Sequence, residues 1–269
     1  MLTAEQCQCK FEFMNSKDLF ELKGKVAIVT GSSKGIGLAI AQAFALRGAS
    51  VVLSSRSQEA VELAANQFKK DGLSVTAQSC HVADHDQRIK LVEKTINEFG
   101  RIDILVNNAA INPVYESIQN MPNEVYDKMF NVNVKSIFHL SNLCFPYMKK
   151  EKSGSIINIA SVEGLKPSLG LGIYSVTKSA VIMLTKVQAK EWGKYGIRSN
   201  AICPGLIKTK LSKALWENKS ILDHVKKQLP SGRVAEPEEI SGLALYLASS
   251  AGSYSTGSVF TADGGHMII

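Results

Sequence analysis

At 269 residues, with 45% hydrophobic and 20% charged side chains, the chain has enough apolar material for a large core, which excludes a disordered or fibrous protein. Its net charge of +7 suits an anionic partner, but the lysines are dispersed among acids and no nucleic-acid motif occurs, so no nucleic acid is expected. The apolar runs are too short to span a bilayer, and Glu5, Lys10 and Glu12 interrupt any signal core, so the expectation is a cytoplasmic protein with no membrane contact. In chain order, residues 1–20 are polar and mixed and read as a flexible extension in which Met14 is an alternative start. A strand over Lys25–Thr30 leads into a helix over Gly35–Arg47, then strand Ser50–Ser54, helix Gln58–Lys70, strand Ser74–Ser79 and helix His85–Phe99. Strand Asp103–Val106, a long helix Asn123–Lys149, strand Ser155–Ile159, helix Ile173–Trp192 and strand Ile197–Ile202 continue the alternation. Leu206–Leu229 interrupts it with a pair of short helices, a natural substrate lid over 206–229, before helix Pro237–Ser249 and strand Ser258–Thr261. Such alternation predicts one α/β domain over 21–269, a parallel sheet covered on both faces.

The five cysteines (Cys7, Cys9, Cys80, Cys144 and Cys203) are scattered and odd in number, which reads as free thiols in a reducing compartment. Cys7-Gln8-Cys9 has no Cys or His partners at zinc-like spacing, so no metal is expected.

Thr30-Gly31-Ser32-Ser33-Lys34-Gly35-Ile36-Gly37 follows the first strand and opens the first helix. Glycines there permit a tight turn and let backbone N–H groups approach a pyrophosphate, whose charge meets the helix N-terminus. The second strand ends Leu53-Ser54-Ser55-Arg56, without the acid that holds a ribose 2′-OH. Arg56, Lys34 and the Ser55 hydroxyl suit a 2′-phosphate instead, and two charge-assisted bonds favour NADPH by about 3–5 kcal/mol at most.

Tyr174 and Lys178 stand four apart and share a helical face. A phenol, with a pKa of about 10, is a poor base near neutrality, and an adjacent ammonium favours its ionised form.

With these residues in place, the chain resembles a short-chain dehydrogenase/reductase (SDR) from Gly24 to about His266. The motifs follow the family's order: the turn Thr30–Gly37, Asn107-Asn108-Ala109-Ala110, Asn133, Ser161, Tyr174–Lys178, Pro204-Gly205 and Asp263-Gly264-Gly265. The resemblance implies a single-domain Rossmann fold, a doubly wound seven-stranded parallel sheet with helices on both faces. It also implies catalytic roles for Asn133, Ser161, Tyr174 and Lys178. Tyr174 would exchange a proton with the substrate oxygen and Ser161 would orient that oxygen. Lys178 would bridge the nicotinamide ribose and lower the tyrosine pKa, while Asn133 would hold a water leading to solvent. The NADP(H) site implied comprises Gly31, Ser33, Lys34, Gly35, Ile36, Gly37, Ser55, Arg56, His81, Val82, Asn108, Ala109, Ala110, Tyr174, Lys178, Pro204, Gly205, Ile207 and Thr209. Two departures stand out: His81 where the family commonly has Asp beside the adenine, and Ala110 where Gly is commoner.

Ser161, Glu163, Leu206 and Trp216 are the expected substrate contacts, with Leu165, Leu169 and Leu215 making the pocket apolar and Lys166 a second polar selector. Asn107–Pro113 with Ser161–Gly164 resembles a carbonyl-reductase branch that includes animal peroxisomal enzymes. The tail His266-Met267-Ile268-Ile269 is not a peroxisomal address, so that location does not carry over. The expectation is an NADPH-dependent carbonyl/alcohol oxidoreductase acting on a small molecule, dimeric or more often tetrameric by resemblance. The alternatives are a 3-oxoacyl-carrier-protein reductase, which needs a basic docking patch such as Lys208, Lys210 and Lys213, and an NADPH-binding sensor or scaffold without turnover.

Overall fold

Five consecutive apolar or small residues, Val26–Thr30, form β1, and all five are buried, as a strand covered on both faces requires. The computed structural model describes residues 19–268. Residues 1–18 of the expected extension, with Cys7, Cys9 and Met14, lie outside the described residues. Its last two residues are docked rather than loose: the Leu19 carbonyl accepts bonds from Ala251 N (3.0 Å) and Ser250 Oγ (2.9 Å), and Phe20 packs on the core.

The other strands are β2 (Ser50–Ser55), β3 (Val75–Ser79), β4 (Ile104–Asn107), β5 (Gly154–Ile159), β6 (Ile197–Pro204) and β7 (Val259–Ala262). They form one sheet in the order β3-β2-β1-β4-β5-β6-β7, every neighbouring pair parallel. The order reverses between β1 and β4, which opens a crevice at the carboxyl ends of these two strands. Helices α1 (Gly35–Leu46), α2 (Gln58–Lys70) and α9 (Glu238–Ala248) cover one face through Ile40, Phe44, Phe68 and Leu247. The other face carries α3 (His85–Phe99), α4 (Asn123–Phe130), α5 (Ser136–Lys150) and α6 (Gly172–Trp192), with Leu91, Leu140, Met148 and Val181 in its core. Two short helices, α7 (Lys213–Trp216) and α8 (Lys219–Gln228), occupy the expected lid segment.

The long helix expected over Asn123–Lys149 is divided. A π-helical stretch, Asn131–Lys135, separates α4 from α5. The cause is tertiary: Asn133, fully buried, pairs its side-chain amide with both the N–H and the carbonyl of Ile111 at 2.9 Å. Single-turn π-helices commonly sit at functional sites.

Candidate active site

The glycine turn is built by backbone conformations that only glycine adopts cheaply, with φ of +65° at Gly31 and +60° at Gly35. At Gly37 a Cβ would lie 2.5 Å from both the Asn108 amide nitrogen and the Gly31 carbonyl, so a side chain there would drive α1 off the sheet. Asn108 staples the turn to the end of β4, donating to the carbonyls of Thr30 (2.8 Å) and Gly31 (3.1 Å). No side chain caps the first turn of α1, so its amides remain available to an anion.

In front of this turn lies a cleft of about 600 Å³. Of the expected cofactor residues it gathers Gly31, Ser33, Lys34, Gly35, Ile36, Ser55, Arg56, His81, Val82, Asn108, Ala109, Ala110 and Thr209. Lys128 and Lys210 join the same wall, which carries no carboxylate. A glycine cradle, an uncapped helix start and a purely basic rim fit a phosphorylated dinucleotide. Lys34 and Arg56 are exposed and enter no ion pair with the described residues. Gly37, Tyr174, Lys178, Pro204, Gly205 and Ile207 are not on this wall. Pro204 and Gly205 close β6 against β7, and Ile207 is buried where it bridges to Ala235.

The proton-transfer candidates come from the ends of β5 and β6 and the first turns of α6. Ser161, just past β5, lies beside the Tyr174 phenol. Burial pushes that phenol above its ordinary range, the Ser161 hydroxyl pulls it down, and Glu163 and Cys203 raise it. Lys178 is 2% exposed, donates to the Ile159 carbonyl at 2.8 Å, and has its Nζ 5.5 Å from the Tyr174 ring centre. Burial lowers its pKa to about 8. Asn133 reaches α6 through Thr177, whose hydroxyl accepts its amide at 3.1 Å and donates to the Tyr174 carbonyl at 2.7 Å.

The carboxylate of Glu163 accepts bonds from Ser168 N (2.9 Å), Ser168 Oγ (2.7 Å) and Ser175 Oγ (3.1 Å). Trp216 donates its indole N–H to the Thr209 carbonyl at 2.9 Å, and the Thr209 hydroxyl shares a 3.1 Å bond with Ser212, so both shape the lid turn. Leu206 is half-buried at the lid's root, off the cleft wall, while Leu169 is 91% exposed. His81 lies on the cleft wall, and its Nδ1 accepts the Ala83 N–H at 3.3 Å. Sequence reasoning missed Lys128, Thr177 and Cys203. Thr177 sits inside the Tyr174–Lys178 motif and was the one within reach. Among the described residues no group of three or more His, Cys, Asp or Glu side chains is placed to hold a metal. None of their helices is long and apolar enough to cross a membrane.

The sequence family described as enoyl-(acyl carrier protein) reductase matches residues 31–267. The chain is similar to dehydrogenase/reductase SDR family member 4 of Oryctolagus cuniculus, 43% identical over 244 residues, covering 91% of this chain and 94% of the relative. It is 39% identical over 256 residues to a tropinone reductase homolog of Arabidopsis thaliana, covering 95% and 97% of the two chains. Among solved structures it resembles a gluconate 5-dehydrogenase from Burkholderia cenocepacia in complex with NADP and tartrate. There the TM-score is 0.90 at 33% identity, over 94% of this chain and 99% of the other. A short-chain type dehydrogenase/reductase from Mycobacterium marinum gives 0.88 at 36% identity, over 94% and 99%.

Proposed function

Since the chain belongs to the short-chain dehydrogenase/reductase family of oxidoreductases, we propose that it reduces a ketone or aldehyde to an alcohol, or runs the reverse, with NADP(H) as cofactor. The observation that carries this reading is the meeting of Ser161, Tyr174 and Lys178 at the carboxyl edge of the sheet that also bears the basic cleft. When bound, reduced nicotinamide supplies the hydride. Tyr174 gives its proton to the carbonyl oxygen and regains one from solvent. Ser161 donates a hydrogen bond that orients the same oxygen. Lys178 holds positive charge beside the phenol and so favours the phenolate left behind. Asn133, tied to Ile111 and Thr177, links α6 to the segment that follows β4. Lys34, Arg56 and Ser55 select the 2′-phosphate, the glycine turn takes the pyrophosphate, and Pro204, Gly205, Ile207 and Thr209 frame the nicotinamide end. Leu206 and Trp216 border the substrate.

The carrier-protein reading is weaker, because Lys208 and Lys213 of the basic patch it needs are paired with Glu236 and Glu217. A sensor would have no use for the Ser161–Tyr174–Lys178 set. Phe138, Val176, Met183 and Val187 leave apolar surface exposed on α5 and α6, which supports self-association into a dimer or tetramer. The buried free thiols of Cys80, Cys144 and Cys203 suit the cytoplasm. The test follows NADPH absorbance against a panel of ketones, diketones, quinones and acyl thioesters. Turnover by the wild type and a loss of about 10²-fold or more in Tyr174→Phe are expected. Binding without turnover on every substrate would sink the enzyme reading.

A further inference from the structure

Of the first three lysines in the lid segment, two are neutralised within the fold. Lys208 is paired with Glu236, and Lys213 with Glu217 at 3.3 Å. Lys210, between them, enters no ion pair with the described residues and lines the basic cleft. The turn that carries it is held on several sides. Ile207 bridges to Ala235, Lys208 N donates to the Ala235 carbonyl at 2.9 Å, and Trp216 donates to the Thr209 carbonyl at 2.9 Å. The same turn rests on the glycine cradle: a Cβ on Gly35 would stand 3.4 Å from the Thr209 methyl carbon. Gly35 opens α1, whose first turn has neither a side-chain cap nor an acidic residue.

The strand order sets this turn and Arg56 on opposite sides of the cradle. Arg56 follows β2 and Lys210 follows β6, while β1 and its glycine turn lie between them. We propose that Lys210 is a cofactor-binding residue whose ammonium contacts the diphosphate of the dinucleotide, apart from the 2′-phosphate at Arg56. The inference rests on the nicotinamide-dinucleotide reading above. An anion at the start of α1 meets backbone N–H groups from the helix and a full positive charge from the lid side. An ammonium carries three donors and no fixed plane, so it suits a phosphate oxygen approached from a turn. NAD(H) carries the diphosphate without the 2′-phosphate, so this contact serves both cofactors, whereas Arg56 serves only one.

The test is isothermal titration calorimetry of the full chain with NADP+, NAD+ and adenosine 2′-monophosphate, which has no diphosphate. Lys210→Gln should raise the Kd of both dinucleotides about 10-fold and leave that of adenosine 2′-monophosphate unchanged. Lys210→Arg, which keeps the charge, should stay near wild type. Arg56→Ala should give the complementary pattern, weakening NADP+ and adenosine 2′-monophosphate while sparing NAD+. Lys213→Gln, which removes a paired lysine three residues on, should change none of the three. Unchanged dinucleotide affinity in Lys210→Gln would leave Lys210 a solvated surface charge and overturn the proposal. Equal losses for all three ligands would reduce it to a general field, and losses confined to NADP+ and adenosine 2′-monophosphate would move it to the 2′-phosphate; either overturns it too. Wild type that binds neither dinucleotide would remove the cofactor reading and this proposal together. Wild type that binds both but turns over no carbonyl would remove only the oxidoreductase reading, with the Kd pattern still deciding the role of Lys210.

Discussion

At the amino-terminal edge of the sheet, Asp103 meets Lys25 at 3.2 Å and Arg101 at 2.6 Å, and Arg198 donates to the carbonyls of Leu247, Ser249 and Ser255. At the carboxyl-terminal edge, Lys34, Arg56, Lys128 and Lys210 surround one cleft with no ion pair among the described residues, and Lys178 has only a carbonyl for its buried ammonium. The amino-terminal charges are satisfied within the fold; the four cations of the cleft have no carboxylate partner among the described residues. Cations gathered without counterions cost the folded state self-repulsion, and a bound polyanion is what relieves it. The contrast separates residues kept for stability from residues kept for chemistry, and substitutions at the two edges should behave oppositely.

The largest effect is expected at Lys178. Its pKa falls from 10.5 to about 8 on burial, so at pH 7 the folded state carries an ammonium it disfavours. The sign follows from proton counting: between about 8 and 10.5 the unfolded chain binds the extra proton, so stability rises with pH across that window, and the penalty is fully present below it. Lys178→Met should therefore lose about 10²-fold or more in kcat while its melting temperature at pH 7 rises. The rise should shrink as pH passes from about 8 to 10.5, which thermal denaturation across that range checks. A variant that loses both activity and stability would break the contrast between the edges.

A smaller effect separates the two cofactors. Arg56 is exposed on the cleft wall, and Arg56→Ala removes one charge-assisted contact to a 2′-phosphate. The KM for NADPH should rise about 10-fold or more, that for NADH should change little, and the melting temperature should hold. Equal rises for both cofactors would remove the phosphate-selecting role of this edge.

Most of this carboxyl edge was legible in the chain because its signals are local. Gly31, Gly35 and Gly37 sit at fixed offsets after an apolar strand, and Tyr174 and Lys178 are one helical turn apart, so neither reading needs long-range contacts. The alternation of short and long apolar segments likewise carried the parallel sheet. The break between α4 and α5 was hidden because burial runs on through Val132, Ile137 and Leu140, and the π-helical stretch arises from Asn133 pairing with Ile111, 22 residues away. Glu163 reads as a pocket selector on an exposed turn. Its partners lie five and twelve residues on, and they meet it only once the loop folds over α6. Lys128 escaped notice because nothing in a helical face announces which cleft it borders.

The smallest effect belongs to the amino-terminal edge, and it sharpens the comparison most. Burial alone would raise the Asp103 carboxyl, but bonds from Arg101, Val26 N and Lys25 hold it below the usual carboxylate range. A folded pKa below the unfolded one means the stabilisation is complete above the unfolded value, near 4, and is lost as pH falls through the folded value. Asp103→Asn keeps the shape and removes the charge. Its partners are about a third exposed, so solvent screening limits the cost to about 1–2 kcal/mol, equivalent to a melting temperature lower by about 2–8 °C. That deficit should fade in acid, where the wild type loses the same charge, and kcat at neutral pH should match wild type throughout. A fall in kcat without a fall in melting temperature would mean that the charges of this edge reach the chemistry after all, and the division of labour along the strands would have to be abandoned.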